Sequence, residues 1–398
     1  MRWRVLWIAV LLSGASVRPL HALDMREMLE SAWSKSAEIV ALEARRTEIT
    51  ARRRAAGRLT PGPPSLGIGH LNDYATGDDG YREYDVELGT PLWLPGEGTA
   101  SRTLADKELA RLQAQLTLAR LSVAGEVRDA YWSVRLGEGS VDLARRRLQA
   151  ARTLQADVDR QVAAGQVALA DLLLGKGESL EAQSILSEQE AALTEARLAF
   201  QALTGTPSPA DFAEPEPTDR SIEQHPRLIA LRTTVDVAEA NTRLIRIQDR
   251  DSPEVALLGV IERELYNDPY DKRLGVRVTL PFATEGRNAP RRAASEAERA
   301  QALAELRTAE RQVLAEVGRA EADLASVQER AALAGERYRA FAERLVLIER
   351  SVRLGETAFV ELVRARAGMF EADIARLRSD IAVMQARSRL NQALGLVP

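Results

Sequence analysis

Two short segments of the chain alternate between apolar and polar residues, the pattern of a β-strand with one apolar face. They occupy residues 84–92 and 273–280, and each has a strand-like partner upstream, at 65–72 and 254–264. Loops rich in Gly, Asp, Asn and Tyr join the partners. The pattern therefore predicts two β-hairpins. Their strands of roughly 9–11 residues have the length that a tilted strand needs to cross a bilayer.

Each hairpin is followed by a long helical pattern. Residues 99–163 and 290–353 each run for roughly 64 residues without a strong helix breaker, a length of about 95 Å at the helical rise. Leucines recur mostly every three to five positions in the first of these segments, as in a coiled coil. Helices of this length need neighbours, and residues 171–203 and 361–394 predict two helices that return alongside them.

A shorter helix is predicted ahead of each hairpin. The first covers residues 25–59, with Asp24 as its N-terminal cap and a group of prolines after its end. The second begins at Ser221 or at the His225-Pro226 pair and ends near Asp249. The predicted order of helix, hairpin, long helix and return helix therefore occurs twice.

The two halves are tandem copies of one unit. Pro64 and Pro253 are 189 positions apart. After the hairpin an offset of 190 relates Pro91 to Pro281, Gly96 to Gly286 and Gly165 to Gly355. Repetitive Ala, Glu and Arg along helices would not align these residues, because prolines and glycines mark turns and helix ends.

The repeat and the N-terminus together divide the chain. Arg2 and Arg4 precede an apolar run, Val5 to Leu12, that is too short to span a bilayer, and Ala22 is the expected last residue before cleavage of a signal peptide. The predicted segments are a signal peptide (1–22), a first copy (23–205, hairpin about 65–93), a proline-rich linker (206–220), a second copy (221–395, hairpin about 254–282) and a C-terminal tail (396–398).

Composition narrows the function. Lys plus Arg is 54 and Asp plus Glu is 58, so the net charge of −4 does not favour nucleic acid as a partner. The chain has no Cys, which excludes disulfides, thiolate metal sites and a lipid-anchoring cysteine. Its three His are far apart, and catalytic motifs are absent. We therefore expect no enzyme activity, no cofactor and no resident metal site.

Two matching turn motifs carry a resemblance to a known family. Residues 165–173 read GQVALADLL and residues 355–363 read GETAFVELV, each a Gly followed after five residues by an acid and a short apolar run. With the proline-flanked hairpins upstream, the chain resembles the TolC family of outer-membrane efflux proteins over nearly all of its mature length. The compact repeat and short linker are most similar to the CzcC-type heavy-metal efflux branch.

The resemblance implies a fold that is mostly α with a small β part and that trimerises. Three copies would supply a 12-stranded outer-membrane β-barrel continuous with a 12-helix periplasmic α-barrel. It also implies a barrel-to-tunnel transition and a periplasmic tip that docks a membrane fusion protein (the adaptor). The transition residues are Pro61, Pro64, Pro91, Pro253 and Pro281. The tip residues are Ala164, Gly165, Gln166, Leu354, Gly355 and Glu356.

The resemblance also implies a pore entrance just above the tip. Asp171 and Glu361 match the family's entrance acids, although acids near a helix N-terminus are also favoured by the helix dipole alone. Arg364 departs from members that carry a second acid there, and its spacing suits an ion pair with Glu361. The sequence therefore does not predict a strong cation-binding ring.

The resemblance predicts the exit duct of a tripartite efflux system in the outer membrane of a Gram-negative bacterium. Its partners would be two further copies of itself, outer-membrane lipid, the adaptor and, indirectly, an inner-membrane pump of the resistance-nodulation-division type. Two alternatives stay open: an outer-membrane duct for type I polypeptide secretion, and a soluble periplasmic coiled-coil adaptor or structural protein. Adaptors usually carry one helical hairpin rather than two in tandem, which favours the duct.

Overall fold

The structure is a computed structural model that describes residues 25–77, 79–165, 167–207, 209, 211–212 and 214–398. The predicted signal peptide, the Asp24 cap and Gln166 lie outside the described residues. The elements in chain order are α1 (Met25–Lys35), α2 (Ala37–Ala56), β1 (Ser65–Asn72), β2 (Arg82–Pro91), α3 (Glu97–Ala163), α4 (Leu169–Thr204), α5 (Pro226–Ile247), β3 (Glu254–Arg263), β4 (Asp271–Thr279), α6 (Glu285–Arg353) and α7 (Phe359–Ala393).

The predicted order of elements is confirmed in both halves. The long helices α3 and α6 have 67 and 69 residues and return through α4 and α7. The His225-Pro226 pair, rather than Ser221, begins α5, where the His225 side chain caps the helix by accepting from the Arg227 N–H. Phe200 and Leu390, which are 190 positions apart, are both fully buried, so the sequence repeat is also a repeat of packing.

The single helix predicted over residues 25–59 is wrong, because the structure divides it into α1 and α2. Ser36 separates them and caps α2, its side chain accepting a hydrogen bond from the Ile39 N–H. A serine hydroxyl that satisfies a free N–H stabilises a new helix start, which sequence periodicity does not reveal. The division lets α1 bury Met25, Met28 and Leu29 independently of α2.

The start of α6 also differs from the prediction. The helix begins at Glu285, and Pro290 lies inside it rather than at its first position. The preceding residues hold this early turn in place: Arg287 binds Asp251 through two hydrogen bonds of 2.6 and 2.9 Å, and Asn288 donates to the Asp249 carbonyl oxygen. Contacts from another segment therefore stabilise a turn that the proline by itself disfavours.

The two hairpins join into one antiparallel sheet in the order β1-β2-β3-β4. The central pairing, between β2 and β3, brings the two copies together, with Pro91 opposite Glu254 and Arg82 opposite Arg263. Within the part of the chain that the structure describes, the outer strands β1 and β4 each pair on one side only. The sheet therefore has two free edges in a single chain.

The helical part has its largest core where α1, α3 and α4 meet. Met28, Val127, Tyr131 and Phe200 are almost completely excluded from solvent there. A second cluster joins α5, α6 and α7, and a third, near the turns, joins α3 to α7. The packing holds the two helical hairpins of one chain side by side.

Candidate functional site: the sheet, its junction with the helices, and the helical tip

Both turns between a long helix and its return helix form as predicted. Gly165 and Gly355 have φ angles of 69° and 76°, the left-handed conformation that glycine adopts without strain at helix ends. Ala164 and Leu354 immediately precede them as the C-terminal caps of α3 and α6. No atom lies within 4 Å of the position that a Cβ would take at either glycine. Both glycines therefore face open space.

The second turn is braced by side-chain hydrogen bonds. The Glu356 N–H donates to the Ser351 carbonyl oxygen at 3.0 Å. The Ser351 hydroxyl lies 2.6 Å from the Thr357 hydroxyl and 3.4 Å from a Glu356 carboxylate oxygen. The turn of the second copy is thus tied to the last turn of α6.

Asp171 and Glu361 occupy the same position in their respective helices. Each is the third residue of its return helix, and its N–H donates at 3.0 Å to the carbonyl oxygen of the capping residue, Ala168 or Ala358. A negative charge at this position is favoured by the helix dipole. The expected pair is also present, since Arg364 donates to Glu361 at 2.6 Å.

A groove of about 760 Å³ lies between the two helical hairpins near these turns. Asp171 lines it together with Glu349, Arg353 and Arg366, whereas Glu361 is not among its described lining residues. Arg366 donates to Glu349 at 2.9 Å and so ties α7 to α6. The sequence did not single out Glu349, Arg353 or Arg366, because nothing in a regular helical pattern marks which charged face borders a groove.

The predicted transition residues all lie at one end of the sheet. They are Pro61, Pro64, Pro91, Pro253 and Pro281. Because neighbouring strands are antiparallel, the start of β1, the end of β2, the start of β3 and the end of β4 meet at this edge, next to the helices. The Leu92 N–H donates to the Pro253 carbonyl oxygen at 2.7 Å, which links the two copies at this level.

The junction below the prolines contains a buried carboxylate that the sequence did not predict. Glu97, the first residue of α3, is only 4% exposed and accepts from the Leu94 N–H at 2.9 Å. It also accepts from the Gln248 side chain, just after α5, at 2.7 Å. Trp93 donates to the Arg58 carbonyl oxygen at 3.0 Å. The side chains of Glu97, Gln248 and Trp93 therefore hold the helices to the base of the sheet.

The sheet has one apolar face and one charged face. The register brings the apolar residues of all four strands to the same side. The exposed members of this apolar face are Leu66, Ile68, Tyr84, Val86, Leu88, Leu257, Ile261, Leu274, Val276 and Val278. The opposite side, the charged face, carries Glu83, Asp85, Glu87, Glu262, Arg273 and Arg277. A solvated surface does not require ten exposed apolar side chains in one patch, so the apolar face marks a contact with lipid or protein.

The linker between the copies is held by a buried ion pair. Arg128 of α3 donates to both carboxylate oxygens of Glu214 at 2.7 and 2.9 Å, and both side chains are under 5% exposed. Arg128 also donates to the Leu396 carbonyl oxygen at 2.9 Å, and Asn391 of α7 donates to Glu214 at 2.7 Å. Glu214 of the predicted proline-rich linker therefore lies in the interior between both copies.

His225 gives the helical part a predicted dependence on pH. Burial lowers the pKa of His225, Glu316 opposes this shift, and Arg227 adds to it. The unfolded chain therefore binds a proton at higher pH than the folded chain, so we expect stability to be complete above about pH 6.5 and to fall as the pH drops below it. Thermal unfolding between pH 7.5 and 5 measures this effect.

Two substitutions test the assignment to His225. Asn also caps helices but does not titrate, so His225→Asn should weaken the dependence on pH. His70, on an exposed strand, serves as the control, and His70→Asn should leave the dependence unchanged. An unchanged pH profile in His225→Asn would show that other groups control it.

Two features are absent from the residues that the structure describes. No helix among them is both long enough and apolar enough to cross a bilayer. They also contain no group of three or more His, Asp or Glu side chains placed to hold a metal ion.

Two long helical hairpins joined to an open sheet with an apolar face define a channel-type outer-membrane fold. The chain belongs to the outer membrane efflux protein family, whose sequence profile matches residues 36–206 and 218–396. This is a family of channel proteins rather than enzymes.

One relative is the cobalt-zinc-cadmium resistance protein CzcC of Cupriavidus metallidurans, which is 28% identical over 221 residues. The alignment covers 50% of this chain and 50% of CzcC. The chain thus spans about half the length of the curated relative that it matches.

Solved structures share the fold over nearly the whole chain. CusC aligns with a TM-score of 0.76 at 16% identity, covering 94% of this chain and 92% of CusC. VceC from Vibrio cholerae gives 0.73 at 18% identity, covering 93% of this chain and 96% of VceC. The open state of MtrE from Neisseria gonorrhoeae gives 0.73 at 18%, covering 94% and 89%. These likenesses confirm the predicted fold class.

Proposed function

We propose that this chain is one protomer of a trimeric exit duct, which passively conducts substrates expelled by an inner-membrane pump through a periplasmic adaptor. The observation that carries the proposal is the open four-stranded sheet with one apolar face. Lipid does not tolerate free strand edges, so such a sheet must close with further strands. Three copies supply twelve strands, with the apolar face toward lipid and the charged face toward water.

The long helices support a duct that extends away from the membrane. At 1.5 Å per residue, α3 and α6 reach about 100 Å. Each chain contributes α3, α4, α6 and α7 to the wall, and three chains therefore contribute twelve helices. The end of the sheet that carries these prolines is then the barrel-to-tunnel transition, whose residues are Pro61, Pro64, Pro91, Pro253 and Pro281.

The helical tip is the proposed docking surface for the adaptor. Its residues are Ala164, Gly165, Gln166, Leu354, Gly355 and Glu356. The described turn residues face open space, and the two turns of one chain lie on either side of the same groove. An adaptor bound there connects the duct to a pump, for which we propose the resistance-nodulation-division type.

The proposed pore entrance consists of Asp171, Glu361 and Arg364. Two acids at matching positions support it, and the Arg364 pair offsets part of the charge at Glu361. We therefore expect a weakly cation-selective entrance rather than a binding ring.

Heavy-metal ions are the proposed cargo. The support is the likeness of half the chain to CzcC, a protein named for cobalt, zinc and cadmium resistance. The described residues contain no metal cluster, which is compatible with a duct because a conduit does not need to bind what it passes.

Export to the outer membrane is proposed to use the signal peptide at 1–22, cleaved after Ala22.

Fractionation and conductance test the function together. We expect the protein in the outer membrane as a trimer that conducts ions in planar bilayers, with Asp171→Ala and Glu361→Ala each reducing its preference for cations. Recovery as a soluble periplasmic monomer would replace the duct with the adaptor or structural protein. Loss of polypeptide secretion, with metal tolerance unchanged, in a strain that lacks the gene would assign the duct to type I secretion instead.

Adjacent leucines on β3 test which face meets lipid. Leu257 lies on the apolar face and Leu258 on the charged face. We expect Leu257→Arg to destabilise the inserted protein by about 2–4 kcal/mol, the usual effect of an arginine facing the bilayer interior. Leu258→Arg is the matched control and should insert normally. Outer-membrane yield and urea unfolding in lipid measure both, and equal effects would contradict the assignment of faces.

A further inference from the structure

The two free edges of the sheet differ on the charged face. In its middle, strand β1 presents Gly67 and Gly69 there, which have no side chains, between Ser65 and Leu71, whereas β4 presents Arg273 and Arg277 on either side of Gly275. Beside the bare edge, on β2, lies the carboxylate of Asp85. A Cβ on Gly69 would be only 2.0 Å from an Asp85 carboxylate oxygen, so this carboxylate lies directly over the glycine and is directed toward the free edge.

No residue that the structure describes supplies a cation to Asp85. Among the described residues it has no ion pair or side-chain hydrogen bond, although it is half-buried. Its neighbour Glu87 is paired, since Arg277 donates to it at 2.6 Å. That bond crosses the whole of β3, which shows that an arginine on this face reaches a carboxylate two strands away.

The prolines at the base of the sheet indicate how a second copy aligns. In the extended register, each proline is one residue nearer the base of the sheet than the residue opposite the preceding proline. This holds for Pro91 relative to Pro64 and for Pro253 relative to Pro91. Pro281 continues the same step relative to Pro253. A shift of one residue per strand adds up to a shear number of about 12 in a barrel of twelve strands. When the shear number equals the number of strands, the strands tilt by about 36° from the barrel axis.

The same step across the boundary between copies places Pro281 opposite Ser65 of the next copy. The pairing is antiparallel because β1 and β4 run in opposite directions. Counting four positions from there places Arg277 opposite Gly69 of the next copy. In the next copy's own register Gly69 opposes Asp85. Arg277 and that Asp85 are then two strands apart, a separation that the Arg277–Glu87 pair already spans.

We propose that Arg277 of one copy binds Asp85 of the next copy across Gly69, so that each barrel seam is closed by a Glu87–Arg277–Asp85 bridge. The inference rests on the proposed trimer. An arginine has five N–H donors, so one guanidinium serves both carboxylates. Because Gly69 on β1 has no side chain, no side chain at that position separates Arg277 from Asp85 on the charged face of the sheet. A second copy of this chain is therefore the partner that the two unlike edges fit.

Cysteine cross-linking tests the register. The chain has no Cys of its own, so only the introduced cysteines can form disulfides. Directly opposed residues on antiparallel strands have Cα atoms about 4.5–5.5 Å apart, within disulfide range. We expect Gly69→Cys with Arg277→Cys to give covalent trimers on mild oxidation. Ile68→Cys with Arg277→Cys is the control and should not link, because neighbouring residues point to opposite faces. Linking through Leu71→Cys with Arg277→Cys instead would overturn the register.

Charge exchange tests the bridge itself. We expect Asp85→Arg to lower the temperature at which the trimer dissociates in detergent, and Asp85→Arg with Arg277→Asp to restore it in part. A conducting trimer that shows no cross-link and no rescue would overturn the bridge and leave the proposed duct standing. A protein that is monomeric and does not conduct would instead overturn the duct.

Discussion

Replacing Gly355 with tryptophan is expected to abolish efflux while the protein still assembles in the outer membrane. Gly355 has a positive φ and no neighbour within 4 Å, so an indole there projects from the turn instead of disrupting a core. The proposed adaptor surface is thereby blocked. With the proposed metal cargo, the cadmium concentration tolerated by cells that carry the complete system should fall to that of cells lacking the duct.

Two further variants distinguish a blocked adaptor surface from a strained backbone at the turn. Gly355→Asn keeps a residue that tolerates the left-handed conformation, so it should retain most of the efflux. Gly165→Trp places the same bulk at the matching turn of the first copy and should also abolish efflux. Trimer yield and conductance in bilayers should be normal in all three variants. If efflux survives both tryptophan replacements, the tip does not dock the adaptor.

Removal of Arg128 is expected to cause the largest loss of stability. It leaves the Glu214 carboxylate buried and without its cation, a situation that typically costs about 3–5 kcal/mol. Arg145, which pairs with Glu190 on the surface at 63% and 47% exposure, is the matched control, and its removal should cost about 0–1 kcal/mol. Urea unfolding of the detergent-solubilised protein, followed by circular dichroism, compares Arg128→Ala with Arg145→Ala.

A double replacement identifies the cause of the loss. In Arg128→Met with Glu214→Leu no charge remains buried, so much of the stability should return. If the double variant is no more stable than Arg128→Ala, the loss comes from the other hydrogen bonds of Arg128, to Leu396 and Gln392. Either result shows how firmly the linker holds the two copies together.

Most of the fold was predictable because its elements are long and regular. The alternation of apolar residues located β2 and β4, whose strand-like partners upstream are β1 and β3, and the absence of breakers located α3 and α6. Gly165 and Gly355 marked the turns because only glycine adopts a positive φ there without strain. Local signals of this kind depend on neighbours along the chain, which the sequence shows directly.

The failures occurred where a distant contact decides the structure. The break at Ser36 lets α1 pack its own apolar face against α3 and α4, and the early start of α6 depends on Asp251 and Asp249. The buried Glu97 and the tip groove were missed for the same reason. In each case the partner lies many residues away, and no periodicity reports it.

By itself, the sequence determined that one unit occurs twice, that each copy carries a hairpin and a helix of about 95 Å, and that the turns contain glycine. Only the tertiary structure decided that the two hairpins form one sheet with unlike free edges, that Asp85 lies over Gly69, and that Glu214 is buried beside Arg128. The physical reason is that helix and strand periodicity arises from local backbone geometry. The register between strands and the burial of a charge arise from groups that folding alone brings together.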